Sequence, residues 1–165
     1  MPATLELIDR KDAITLEEAL EEEGNVINQH SYGPATKKFY TKLWKQRSSI
    51  NAVARHYLVL GEEDTCEVSP PRDWIRGSFN VCVLVNVGSS SSSQKVVFRC
   101  PMPHKLAEVR HPGSTDEKSS CEVGAYIWVE ENCPEIRAPH LFGFGFSDGR
   151  HVCLSVPLRF ACEHQ

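Results

Sequence analysis

The ten residues SFNVCVLVNV, positions 78–87, constrain this chain more than any other stretch. Phe79, Val81, Val83, Val85 and Val87 fall on one face of an extended chain, and Ser78, Asn80, Cys82, Leu84 and Asn86 fall on the other. A period of two written mostly in β-branched residues predicts a strand with one face on a core. The polar run GSSSSSQ follows at 88–94, and KVVFRC at 95–100 reads as a second strand. Two strands joined by a Ser-rich connection predict a hairpin with a flexible tip.

Beyond this hairpin, Pro101, Pro103 and Pro112 punctuate a loop. Thr115 or Asp116 is then placed to cap a helix through DEKSSCEVGAYIWVEEN, residues 116–132. LFGFGFS and HVCLSV read as two further strands about a turn at 147–150, for which the sequence DGR suggests type I′ geometry. Residues 61–71 read as a connector or an irregular first strand. The order strand, strand, strand, helix, strand, strand predicts an α+β unit over 63–165: a five-stranded, mostly antiparallel sheet with one packed helix.

Residues 1–62 read as a helical N-terminal extension. Thr15 followed by Glu18 forms a capping-box signature for an acidic helix that Gly24 ends, and Glu21, Glu22 and Glu23 read as a solvated face. Between 34 and 60, Phe39, Leu43, Ile50, Val53, Ala54, Tyr57 and Leu58 recur at helical spacing, which predicts one long or two consecutive amphipathic helices. Lys37, Lys38, Lys42, Lys45 and Arg47 lie between them and are expected to face solvent.

A length of 165 residues, 41% hydrophobic and 24% charged, suffices for one ordinary domain with a core. A formal charge of −4 with no sustained basic run argues against a nucleic-acid partner. No stretch approaches the roughly 18 apolar residues that cross a bilayer, and the first residues lack the pattern of a secretory signal. The expectation is a cytoplasmic protein with no membrane association. The seven cysteines (Cys66, Cys82, Cys100, Cys121, Cys133, Cys153 and Cys162) include no CxxC pair, and most of them read as buried, free thiols. His104 and His111 share a loop, but no Cys and His set has zinc-site spacing, and no GxSxG turn occurs. No metal site is expected.

One ionisable pair stands out. On the 116–132 helix, Glu122 heads a stripe with Ala125, Tyr126, Val129 and Cys133 that must face the sheet. A carboxylate so placed needs a partner. Arg99 stands in VVFRC, a strand apolar on both sides. The two can satisfy each other across the sheet–helix boundary; alternatively Glu122 turns to the helix edge and Arg99 extends to solvent at the sheet rim. Upstream, Gly77 opens a turn in which the amides of Ser78, Phe79 and Asn80 either donate to phosphate oxygens as a nest or form an ordinary hairpin entrance.

Taken together, WIRGSFNVCVLV, VVFRCPMP and DEKSSCEVGAYIWVEENCPEIRAPHLFGFGFS resemble the aminoglycoside phosphotransferase-like family, of protein-kinase-like fold, and its fungal members in particular, over residues 39–156. The resemblance implies a kinase-like small lobe that binds ATP with Mg2+. Gly77, Ser78 and Asn80 would belong to its nucleotide-covering loop, Arg99 would stand where the family has a phosphate-contacting Lys, and Glu122 would orient that cation. The family activity would be ATP-dependent phosphoryl transfer to a small-molecule hydroxyl. Arg in place of Lys is a departure, because its planar fork differs in reach and hydration. A larger departure is that no HxD occurs, and after Val156 the sequence reads only PLRFACEHQ. Asp64, Asp73, Asp116 and Asp148 read as turn or cap residues and not as magnesium ligands. The expectation is a truncated phosphotransferase lacking its catalytic lobe and inactive by itself. The alternative is a non-catalytic interaction module whose open face, around 141–146 and 152–156, meets a protein partner.

Overall fold

The strand predicted most firmly is also the one around which everything else is arranged. In a computed structural model, which describes residues 4–22, 26–88 and 93–154, β5 (Asn80–Gly88) is the central strand of a four-stranded antiparallel sheet. Numbered in chain order, the elements are β1 (Thr4–Leu5), β2 (Ile14–Thr15), α1 (Leu16–Glu21), α2 (Val26–Lys45), α3 (Arg47–Tyr57), β3 (Thr65–Val68), β4 (Ile75–Arg76), β5, β6 (Ser93–Pro101), α4 (Ser114–Asn132), β7 (Gly143–Gly145) and β8 (His151–Cys153). Along its whole length β5 pairs with β6, from Asn80 opposite Pro101 to Gly88 opposite Ser93. Its other edge takes β3 at one end and β4 at the other.

The alternation read from the sequence separates the faces. Val81, Val83 and Val85 are fully buried and Val87 nearly so. Phe98 and Val96 stand opposite Val83 and Val85 on the same face. Against it pack Leu43 of α2 and Ile50 and Ala54 of α3, with Trp74, Cys100 and Met102 completing one core. Removing each such Val side chain from water is worth about 1.5–3 kcal/mol, which binds the helices to the sheet. Elements on both sides of the 62/63 boundary therefore share that core. Phe79 departs from the pattern: it precedes the ladder, in the turn, and stays half exposed.

Two consecutive helices form, broken at Gln46, and the five basic residues between their apolar positions are all exposed. α2 starts at Val26, upstream of the expected Pro34, which lies inside it. The Thr15–Glu18 capping box is present, with Glu18 N–H donating to Thr15 Oγ1 at 3.3 Å and Thr15 N–H to Glu18 Oε2 at 2.7 Å. Gly24 lies outside the described residues. Leu7, Ile14 and Val26 make a second, smaller cluster.

The five-stranded sheet expected from the sequence is not what forms among the described residues. β7 and β8 pair only with each other. The hairpin leans instead on α3, where the Gly143 backbone lies so close to the Tyr57 ring that a Cβ would stand 2.8 Å from it. β6 is left as the sheet's edge. The turn is also not type I′, which needs a positive φ at two successive residues. Only Gly149 is left-handed (φ 87°), and Phe146 and Arg150 close the connection through a 2.8 Å bond. Asp148 caps it, accepting from Arg150 N–H at 2.9 Å.

α4 begins two residues before its expected start and buries none of its residues completely. Its cap is neither Thr115 nor Asp116. Glu108, from the preceding loop, accepts from Gly113 N–H and Thr115 N–H, each at 2.7 Å, and from Ser114 Oγ at 3.1 Å. These donors hold the Glu108 carboxyl down at about 2. Asp116 reaches outward and accepts from the backbone and hydroxyl of Ser147, at 3.0 and 2.6 Å, tying the helix start to the β7–β8 turn.

Candidate functional site

Strand parity places the first two site residues. Arg99 is directly opposite Cys82, and Asn80 is two residues from Cys82 on the same strand, so Asn80 and Arg99 share the sheet face turned away from α2 and α3. With its amide oxygen turned to the guanidinium, Asn80 accepts from Arg99 Nε at 3.0 Å and from Nη2 at 2.7 Å. Asn80 itself is buried.

Helix periodicity places the third. Glu122 faces β6 from α4, and its Oε1 accepts from Arg99 Nη2 at 3.3 Å. Of the two arrangements open from the sequence, the cross-boundary pair is the one that forms. Its side chains are 42% and 26% exposed, so water reaches the pair and its direct contribution to stability is small. The stripe of which Glu122 is the head is only partly covered: Tyr126, Val129 and Cys133 are half-buried and Ala125 is exposed.

A fourth residue joins them that the sequence reading passed over. Lys118 Nζ also donates to Glu122 Oε1, and it sits 5.7 Å from the centroid of the Phe79 ring in the 77–80 turn. The signal was available, since Lys118 precedes Glu122 by one helical turn on the same face.

A cleft of about 810 Å3 opens between α3, β6, α4 and the β7–β8 hairpin, within the range of small-molecule sites. Tyr57, Val97, Tyr126 and Phe144 give it apolar walls, and Arg99 and Glu122 give it charge. Both also line an adjoining cavity of about 270 Å3 beside Val129 and Ala138. Burial raises the Tyr57 hydroxyl above its ordinary range at the cleft wall.

Gly77 and Ser78 line neither cavity. The turn is closed by Gly77 N–H donating to the Asn80 carbonyl at 2.9 Å. No residue from 77 to 80 has a positive φ, so the alternating left-handed conformation of a backbone nest is not formed there. Nor does the chain's own packing require glycine at 77, where a Cβ would meet its nearest neighbour at an ordinary 3.6 Å.

The cysteines differ from expectation in burial. The six described ones are free thiols, but only Cys100 is buried, which pushes its thiol up to about 12. Cys121 and Cys153 are exposed, and Cys162 lies outside the described residues. Among the described residues no group of three or more His, Cys, Asp or Glu side chains is placed to hold a metal ion. Among them, too, no helix is long and apolar enough to cross a membrane. Comparison of the chain with protein-family models, with curated proteins and with solved structures finds no match.

Proposed function

We propose that the cleft between β6 and α4 is a nucleotide-phosphate site, and that the chain is the small lobe of an aminoglycoside phosphotransferase-like protein of kinase-like fold. The observation that carries this reading is the three-residue contact of Asn80, Arg99 and Glu122, of which Arg99 and Glu122 line an aromatic-walled cleft and Asn80 lies outside its lining. A guanidinium held through Nε and Nη2 by a buried amide and a carboxylate keeps its Nη1 N–H donors for a phosphate oxygen. Placement and charge neutralisation are what phosphoryl transfer asks of a protein.

On this reading the apolar walls take the base of ATP and Arg99 takes its phosphates, while the 77–80 turn, whose Gly77 and Ser78 line neither cavity, meets the site through the Asn80 contact with Arg99. The described residues supply no acid set for Mg2+, so magnesium would arrive on the nucleotide. Transfer to a small-molecule hydroxyl needs in addition a carboxylate to accept the hydroxyl proton, and the reading assigns none of the described residues to that task. The free thiols agree with a cytoplasmic setting. Titration of ATP with magnesium, followed by Trp fluorescence, tests the site: saturable binding that Arg99→Ala abolishes supports it, and a flat response removes it.

A second reading, a non-catalytic interaction module, is favoured by α4 itself. The helix has no fully buried residue, and Trp128 on it is 59% exposed, as is expected of a face that another protein covers. Here a flat nucleotide titration is the expected result.

A further inference from the structure

The outer side of β6 carries an unpaired backbone. Leu84 C=O accepts from Ser69 N–H and Phe79 C=O from Met102 N–H, each at 2.8 Å. The even residues of β5 therefore turn their backbone groups to β3 and the odd ones to β6. Val83 and Val85 stand opposite Phe98 and Val96, so the even residues of β6 hold that ladder. Lys95, Val97 and Arg99 point their N–H and C=O groups the other way, and among the described residues no hydrogen bond reaches them. The register runs through nine pairs without a bulge, which leaves an open edge of the kind that sheets ordinarily cover or blunt.

The cleft of about 810 Å3 lies along this edge. Successive side chains of a strand point to opposite faces, so residues 96–101 can all line one cavity only from the strand's edge. The facing wall is likewise consecutive, residues 140–146. Phe142 and Phe146 bond toward β8, so Gly143 and Gly145 turn their amides away from it. A slot between two extended backbones has the shape of a missing strand. The side chains beside the outward amides of β6 narrow its occupant further: Lys95, Val97 and Arg99 read cation, apolar, cation. Val97 is 58% exposed, and Arg99 keeps its Nη1 group clear of Asn80 and Glu122.

We infer that β6 takes up an extended segment of another protein as a further strand, and that this segment carries acidic residues at the alternate positions on either side of an apolar one. Opposite charges across a ladder stabilise the pairing, and like charges oppose it. A second copy of this chain meets that opposition: in the register that pairs Val97 with itself, Lys95 stands against Arg99. Main-chain bonds to the edge supply the affinity, and the alternate side chains supply the selection. The inference rests on the second reading, the interaction module, and gives its partner's chemistry. Arg99 is common to both readings, so a nucleotide in the cleft excludes the segment.

The test titrates the capped peptide Thr-Glu-Thr-Val-Thr-Glu-Thr into the unaltered protein, followed by calorimetry and by amide hydrogen exchange. The expected result is saturable binding in which the amides of Lys95, Val97 and Arg99 gain protection, while Val96 and Phe98, already bonded to β5, keep theirs. Val97→Pro removes one outward N–H and spares the β5 ladder, so it should weaken binding by about 3- to 10-fold. Should that variant not fold, N-methylation of the peptide at its Glu and Val amides makes the same measurement on the unaltered protein. The peptide with Lys in place of Glu should bind more weakly by up to about 25-fold for its two reversed pairs. No binding to the unaltered protein, or binding that leaves the three outward amides unprotected, overturns the inference. Self-association of the free protein that protects those amides overturns it too, since the edge then belongs to a second copy. The inference and the reading beneath it fail separately. Peptide binding that Trp128→Ala abolishes and Val97→Pro does not affect keeps the interaction module, on α4, and removes the strand. No peptide binding, together with ATP binding that needs Arg99, removes both.

Discussion

Asn80 and Arg99 lie on a diagonal of the β5–β6 ladder, and the Asn80 amide oxygen accepts two hydrogen bonds from the guanidinium, at 3.0 and 2.7 Å. Asn80 is buried while Arg99 is 42% exposed, so the amide is the rigid member of the pair and the guanidinium is held by it. Asn80→Ala should lower stability by about 1–2 kcal/mol, the worth of hydrogen bonds to a charged group with water as partial substitute. Urea unfolding measures this. A change within about 0.5 kcal/mol, ordinary for a surface substitution, would show that the amide does not hold the arginine.

Gly77 separates the needs of folding from those of binding. A Cβ at this position meets only the Asn80 carbonyl, at 3.6 Å, and its φ is not left-handed. Gly77→Ala should therefore leave stability unchanged or raise it by up to about 1 kcal/mol. If phosphates pass under the turn, the same variant should bind ATP with magnesium at least about tenfold more weakly, the cost of roughly 1.4 kcal/mol of steric displacement. Unchanged affinity would place the nucleotide away from the turn.

Glu108 makes the start of α4 sensitive to acid. Its carboxyl is held at about 2 against an ordinary 4.5, by hydrogen bonds from Gly113 and Thr115 above all. A group whose pKa is depressed on folding contributes stability that is complete above its unfolded value and is lost as pH falls through its folded value. The difference in melting temperature between the unaltered protein and Glu108→Gln should be largest near neutrality, shrink from about pH 4.5 and vanish near pH 2. A difference independent of pH would mean that the carboxylate does not cap the helix.

Gly143 is required by contact. A Cβ there would lie 2.7 Å from the Val152 carbonyl and 2.8 Å from the Tyr57 ring, both inside normal contact. Gly143→Ala should cost about 1–3 kcal/mol, as overpacking does. Hydrogen exchange should place the loss in β7, β8 and the end of α3. Unaltered protection of those segments would contradict the docking of the hairpin on Tyr57.

What could be read from the sequence was what local periodicity determines. Val81, Val83 and Val85 gave the buried face of β5, and Thr15 with Glu18 gave a helix start. The spacing of Glu122 along its helix, with Arg99 an unexpected cation in an apolar strand, pointed to a contact between them and left open the alternative that each turns to solvent. Residues whose role is set by tertiary approach gave no such signal. Glu108 caps α4 only because the loop folds back at the left-handed Gly113, and Gly143 matters only because Tyr57 lies against it. The five-stranded sheet was expected from strand order alone, and order does not say whether a short hairpin joins an edge or leans on a helix. Lys118 was legible and overlooked, because a lysine one turn before a glutamate reads first as a surface pair.

The most direct measurement of the central claim is nitrogen-edited NMR of the protein with ATP and magnesium, using adenosine as the control. The account predicts that the Arg99 Nε–H signal and the amides of Gly77, Ser78 and Asn80 shift with ATP in a saturable way, and that adenosine leaves the Arg99 signal in place. An Arg99 signal unmoved by saturating ATP, or moved equally by adenosine, would contradict it.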